Sequence, residues 1–171
     1  QQAKLTAADG ASGDLFGVSV SVSSTSTDYS HLVVGAYTDD DKGSDAGSAY
    51  VFHRTNSTWA QQAKLTASDG ASGDLFGVSV SISSVNTNTA YAVVGARGDD
   101  HLGSDSGSAY AYFGSGATWT EQTKLQAADG GPVDWFGASV SLSGSRALVG
   151  AHRKDDNGTD AGAAYVFVRS G

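Results

Sequence analysis

Three loops of this chain carry the same acidic pattern, Asp-x-x-Gly-Ser/Thr-Asp-x-Gly, running from Asp40 to Gly47, from Asp100 to Gly107 and from Asp155 to Gly162. The pairs Asp40 and Asp45, Asp100 and Asp105, and Asp155 and Asp160 supply hard oxygen donors, and the turn carbonyls between them could complete a shell. That is the ligand chemistry of Ca²⁺. The same residue types build turns with no ion at all, Asp by capping backbone amides and Gly by supplying positive φ.

A second set of carboxylates recurs as Asp9/Asp14, Asp69/Asp74 and Asp129/Asp134, flanking glycine-containing turns. Paired carboxylates are the equipment of glycoside hydrolysis. A catalytic pair is needed once, however, and this one appears three times, so turn formation is the reading its recurrence supports. His31, His53, His101 and His152 share no equivalent position, and no Ser/His/Asp spacing stands out. With no cysteine in the chain, thiolate metal sites, thiol nucleophiles and disulfides are excluded. No catalytic residue is assigned, and the expectation is a protein that is not an enzyme.

The elements that hold these loops repeat with them. Gln1-Gln2-Ala3-Lys4-Leu5 returns as Gln61 to Leu65, and a looser copy starts at Glu121, so the chain divides into units 1–60, 61–120 and 121–171. Each unit holds a run of strict alternation, Val18 to Val22, Val78 to Ile82 and Ala138 to Leu142, with apolar residues on one face and serines on the other. Small hydroxyls on the second face would let a further sheet approach closely. Next comes an apolar run (Leu32 to Ala36, Ala92 to Ala96, Ala147 to Ala151), then an aromatic one (Ser48 to Phe52, Ser108 to Tyr112, Ala163 to Phe167). The fourth run, Thr58 to Leu65 and Thr118 to Leu125, opens on a tryptophan; simple alternation places Trp59, Ala63 and Leu65 on one face.

Four short runs per unit, 23 glycines, a single proline and no sustained helical spacing give an all-β class. A sheet of about 60 residues is marginal alone. Stacking the sheets face to face buries what one sheet cannot, so the expected architecture is β-propeller-type blades, three four-stranded antiparallel repeats of about 57–60 residues each. The net charge of −8 argues against a nucleic-acid backbone as partner, and no apolar run is long enough to insert in a membrane as a helix.

Phe16-Gly17 with Val34-Gly35-Ala36, Phe76-Gly77 with Val94-Gly95-Ala96, and Phe136-Gly137 with Val149-Gly150-Ala151 resemble the FG-GAP repeat of integrin alpha-chains and many secreted proteins. The resemblance spans essentially the whole chain. It implies a propeller with the Phe-Gly strand nearest the axis, the Trp strand outermost, and Phe16, Gly17, Phe76, Gly77, Phe136 and Gly137 as scaffold. The Asp-x-Asp-x-Asp-Gly calcium loop of integrin alpha-chains falls between the first and second strands, where this chain has Ser23 to Ser30, Ser83 to Thr89 and Ser143 to Arg146, none of that type.

Closed propellers use about 4 to 8 blades, and three units leave two open faces. Three expectations follow: pairing of two copies into a six-bladed ring, stacking of copies into a filament, or a chain that is a piece of a longer propeller. Absence of methionine makes Gln1 a processed or cut end. Asn56-Ser57-Thr58 and Asn157-Gly158-Thr159 are N-glycosylation patterns. Together with the missing thiols they point to an extracellular interaction or adhesion protein that associates with its own copies. The alternative is a lectin-like or calcium-dependent propeller that binds an extracellular protein or glycan.

Overall fold

A computed structural model describes residues 1–169 and contains eleven strands and, among those residues, no helix. The first sheet runs in the order β1 (Ser19–Ser24), β2 (Tyr29–Ala36), β3 (Ser48–Thr55), β4 (Thr58–Leu65). The second repeats it with β5 (Phe76–Ser84), β6 (Thr89–Ala96), β7 (Ser108–Ser115) and β8 (Thr118–Leu125). The third has three strands, β9 (Phe136–Ser143), β10 (Arg146–Ala151) and β11 (Ala163–Val168). All pairs are antiparallel. The all-β, blade-like class therefore stands, while the expectation of three four-stranded repeats is corrected to sheets of four, four and three strands. Among the described residues no Thr-Trp run follows β11.

The sheets stack in chain order and splay outward. Innermost strands β1, β5 and β9 touch extensively from sheet to sheet, whereas the outermost strands β4 and β8 barely meet. Serine alternation explains the close inner contact. Ser21 and Ser23 accept from the amides of Ile82 and Ser84 (3.2 and 3.0 Å), and Ser81 and Ser83 accept from Leu142 and Gly144 (2.9 and 3.3 Å). In the other direction Ser19 and Ser79 each donate 2.7 Å to the carbonyls of Gly77 and Gly137. The glycines of the second strand complete the approach: a Cβ on Gly35 or Gly95 would lie 1.9 Å from those same carbonyl oxygens.

Two apolar cores fill the gaps between sheets. Val33, Val51 and Leu65 of the first sheet meet Phe76, Val80, Ile82 and Val94 of the second. Val93, Ala109 and Leu125 of the second meet Phe136, Val140, Leu142 and Val149 of the third. Phe76 and Phe136 are fully enclosed, edge-on to Tyr110 and Phe167 of their own sheets, so these motif residues are inter-sheet scaffold. Phe16 is only partly buried and precedes β1 instead of opening it. The amides of Phe76 and Phe136 bond to Ala46 and Ser106 of the preceding sheet, and Phe16 has no sheet before it.

One alternation is broken. Register passes from Val51 opposite Ala63 to Phe52 opposite Gln61, so Gln62 is the extra residue of a β-bulge, and Gln122 is its counterpart. Trp59 therefore packs with Tyr50 and Phe52 on the outer face, opposite to Ala63 and Leu65, which corrects the one-face expectation. The bulge also aims Gln62 at the next sheet, where it accepts from Trp119 Nε1 at 3.0 Å.

Candidate functional site

The most concentrated chemistry lies at the loop end of each sheet. β4 and β8 carry Lys64 and Lys124 directly opposite Tyr50 and Tyr110 on the neighbouring strands. Lys124 Nζ lies 2.7 Å from Asp99 and 2.8 Å from Asp69, and 5.3 Å from the centre of the Tyr110 ring. Asp99 is buried and also receives Ser108 Oγ (2.8 Å), Tyr110 Oη (2.9 Å) and the His101 amide (3.1 Å). In the first sheet Lys64 makes the same contacts to Asp9 and Asp39, both at 2.9 Å, and adds Asp41. Burial pulls both ammonium groups down, and their carboxylate bonds outweigh it, holding them above the ordinary lysine value. Burial likewise pushes Asp39 and Asp99 up, and the lysine bonds overcome it to leave both carboxyls below the usual range.

The third sheet rearranges this cluster. The position of Asp39 and Asp99 is Lys154, whose Nζ donates to the Asp129 carbonyl at 2.8 Å and lies 3.2 Å from Asp134 and 3.4 Å from Asp156. Tyr165, the counterpart of Tyr50 and Tyr110, has no lysine opposite it among the described residues, and burial together with the Asp129 carboxylate pushes its hydroxyl up. Sequence reasoning missed all three clusters. The signal of the first two was a lysine preceding leucine at the end of the fourth strand, in register with a tyrosine one strand away.

The expected calcium carboxylates act on their own loops. Asp40, Asp100 and Asp155 each accept, through Oδ1, the amide of Asp45, Asp105 or Asp160 at 2.8 Å. The residue receiving each cap has φ of 53 to 54°, the left-handed region that Asp tolerates. Among the described residues no group of three or more His, Asp or Glu converges as a cation site would need. The loops present carbonyls instead: Ser44, Asp45 and Ala46 receive the amides of Gly73, Leu75 and Phe76, and Ser104, Asp105 and Ser106 receive Val133, Trp135 and Phe136. They are inter-sheet clamps. Asp9 and Asp69 belong to the lysine clusters, while Asp14, Asp74 and Asp134 accept the amides of Ala11, Ala71 and Gly131 as turn closures. Asn56, in the β3–β4 turn, and Asn157, in the third acidic loop, are exposed.

A family model for the FG-GAP repeat matches residues 1–52, 59–112 and 119–167. The chain belongs to the FG-GAP repeat family. Its three FG-GAP repeats build the propeller-type domain that the stacked sheets show. No curated protein matches the chain in sequence. The FG-GAP motif residues are accounted for by packing, which leaves the faces at the two ends of the stack and one cleft as surfaces without an internal role. That cleft, about 440 Å³ between the second and third sheets, is lined by Tyr112, Gln122, Leu125, Leu142, Phe167 and Arg169 among others. Trp119 closes the corresponding gap between the first and second sheets. Among the described residues no tryptophan-bearing strand closes this one.

Both end faces keep the chemistry of an interface. Val20 and Val22 are 70% and 65% exposed, whereas their counterparts Val80 and Ile82 are 7% and 4% exposed. At the other end Val166 is 66% exposed, and its counterpart Val51 is fully buried. Ser139, Ser141 and Ser143 point outward where Ser79, Ser81 and Ser83 hold a neighbouring sheet.

Proposed function

We propose that the protein is a non-enzymatic, extracellular interaction module that associates with its own copies head to tail, the third sheet of one packing on the first sheet of the next. One observation carries this reading: apolar positions that pack inside the internal interfaces are exposed at the ends of the stack and are still apolar, Val20 and Val22 against Val80 and Ile82, and Leu148 and Val166 against Val33 and Val51. The two faces are complementary, since one offers the valines and the other the serines and valines that receive them internally. Burying a valine stabilises by about 1.5–3 kcal/mol, so four such side chains across a joint supply a substantial driving force. Exposed apolar sheet faces of this kind mark interaction surfaces. A heterologous contact closes a ring if its rotation divides a full turn and otherwise extends as a filament. The exposed glycosylation patterns at Asn56 and Asn157 and the family's typical setting support the extracellular part; the recurrent carboxylates, each occupied by a lysine or a turn, support the non-enzymatic part.

Molar mass by light scattering, in Ca²⁺ and again in chelator, tests the proposal. A discrete mass of two chains indicates a six-bladed ring, and a broad, concentration-dependent mass indicates a filament. A mass of one chain over the accessible concentration range overturns it. Val22→Asp is expected to return the mass to a single chain, since a charge in that interface has no partner. Equal masses in the two buffers are expected if the acidic loops close by their own caps.

A further inference from the structure

The corner where the second sheet meets the third differs from the same corner one sheet earlier. Trp135 directly precedes the Phe136-Gly137 motif, where the first two sheets have Leu15 and Leu75. Leu15, Leu75 and Trp135 all lie in the left-handed region, at φ of 53, 58 and 56°, and the amides of Leu75 and Trp135 are held by the Asp45 and Asp105 carbonyls of the preceding sheet. The backbone is shared, and only the side chain changes. Its neighbours change with it: Arg97 follows β6 where Tyr37 follows β2, and Arg153 stands where the second sheet has Gly98 and the first Thr38.

Arg153 Cζ lies 3.7 Å and Arg97 Cζ 4.3 Å from the centre of the Trp135 ring, and His152 stands edge-on to that ring at 5.3 Å between centres. The two guanidiniums are therefore within about 8 Å of each other and repel. No carboxylate offsets this, since every ion pair among the described residues is made by a lysine. Arg54 donates to the Thr27 carbonyl and Arg169 to the Tyr91 hydroxyl, whereas among the described residues the side chains of Arg97 and Arg153 donate to nothing. In a chain of net charge −8, two guanidiniums without an anion on one indole are an exception. Packing does not call for them, because the corner one sheet earlier is built from Tyr37, Leu75 and Gly98.

We infer that Arg97, Trp135 and Arg153 form a binding site for a tetrahedral oxyanion, a phosphate or sulfate group. Stacking engages the flat face of a guanidinium and leaves its in-plane N–H groups free, and those groups are the fork that receives such oxyanions. Trp135 is the positioning residue: fixed through its own backbone, it holds both forks at one place and takes no donor from either. A phosphate or sulfate group offers three terminal oxygens, enough for two forks, whereas the two oxygens of a carboxylate fill one. The acidic surface opposes the approach of a polyanionic chain. A single group, free or at the end of a small ester, is the ligand that fits both facts. The corner joins two sheets of one chain, so the site does not depend on self-association.

Calorimetric titration of the full chain at fixed ionic strength, with inorganic phosphate, inorganic sulfate and phenyl phosphate in turn, tests the site. Saturable binding at one site per chain is expected. Equal affinity for inorganic phosphate and phenyl phosphate identifies a site for the free anion, and tighter binding of phenyl phosphate a site for an ester. Arg97→Tyr and Arg153→Thr, each the residue of a sister sheet, are expected to weaken binding about tenfold or more and to leave the urea midpoint near the parent's. Trp135→Leu, again the sister residue, is expected to weaken it less, since both forks remain but nothing holds them together; Trp135→Phe, which keeps a ring, is expected to restore most of the loss. Arg146→Gln, at an exposed arginine outside the corner, is expected to change nothing. No saturable binding of any of the three anions, parent-like binding by Arg97→Tyr and Arg153→Thr, or an equal loss in Arg146→Gln overturns the site.

Discussion

In the first and second sheets the outermost strand delivers the buried cation: Lys64 or Lys124 reaches inward to Asp39 or Asp99 in the loop after the second strand. In the third sheet that loop position is itself Lys154, and the ammonium comes from within the loop. The first arrangement ties strand four to the loop across the sheet, so strand and cluster stand or fall together. The second satisfies the cluster locally, within the loop and its neighbouring turn. A charge requirement of the loop is therefore separable from the strand that meets it in the first two sheets.

The sharpest way to break this comparison is to remove the cations one at a time. Lys124→Met leaves Asp99 enclosed with only neutral donors, Ser108, Tyr110 and the His101 amide. Removing one partner of a buried ion pair typically costs about 3–5 kcal/mol, and a loss near the lower end is expected because Lys124 keeps 17% of its side-chain surface. Lys154→Met is expected to shift the urea midpoint much less, since Asp156 is half exposed and Asp134 retains the Gly131 amide. Equal shifts would dissolve the distinction between the two arrangements.

How much of this was legible in the sequence follows from what each signal depends on. Period-two serine runs announced β1, β5 and β9 and the face that accepts a neighbouring sheet, because alternation is a local property of a strand. The Phe-Gly and Gly-Ala positions announced the close approach for the same reason: a missing side chain is visible in one residue. The lysine clusters were not legible, since Lys124, Asp69 and Asp99 lie on three separate segments and meet only after the sheet has formed. The bulge at Gln62 was equally hidden, and with it the true face of Trp59. The acidic loops show the converse ambiguity: Asp40, Asp100 and Asp155 each cap their own turn through Oδ1, a role that spacing alone does not separate from coordination.

A second contrast sharpens the difference between an occupied and an open face. Gly95→Ala drives a Cβ to 1.9 Å from the Gly137 carbonyl oxygen, and backbone cannot step aside cheaply. Overpacking of that kind costs about 1–3 kcal/mol, expected as a lowered urea midpoint. At Gly150 the nearest atom to an added Cβ is the hydroxyl of Ser139 at 2.4 Å, a rotatable side-chain end within its own sheet, with no neighbouring backbone close by. Gly150→Ala is expected to leave the single chain's stability nearly unchanged while reducing association in light scattering. Loss of stability at Gly150 equal to that at Gly95 would mean the open face is already a packed one.

The smallest expected effect separates the first sheet from the second by pH. His31 is buried, stacks on His53 with ring centres 4.7 Å apart, and places Nδ1 3.0 Å from Ser84 Oγ across the inter-sheet gap. Burial, reinforced by the neighbouring His53, pushes it down to about 4 from an ordinary value of 6.5. The unfolded chain therefore takes up this proton at a higher pH than the folded one, and stability declines as pH falls from 6.5 toward about 4. The carboxyls of Asp9, Asp39, Asp69 and Asp99 act in a separate window: held below 3.8 in the fold, they contribute fully above that value and lose their contribution as pH falls through their lowered values. The second sheet has Tyr91 where the first has His31, so this histidine's contribution belongs to the first sheet alone. His31→Gln is expected to flatten the urea midpoint across that window and to leave the acid limb intact. A decline that persists in the variant would move the origin of the upper window away from the first sheet, and with it the claim that the two four-stranded sheets differ in how they respond to mild acid.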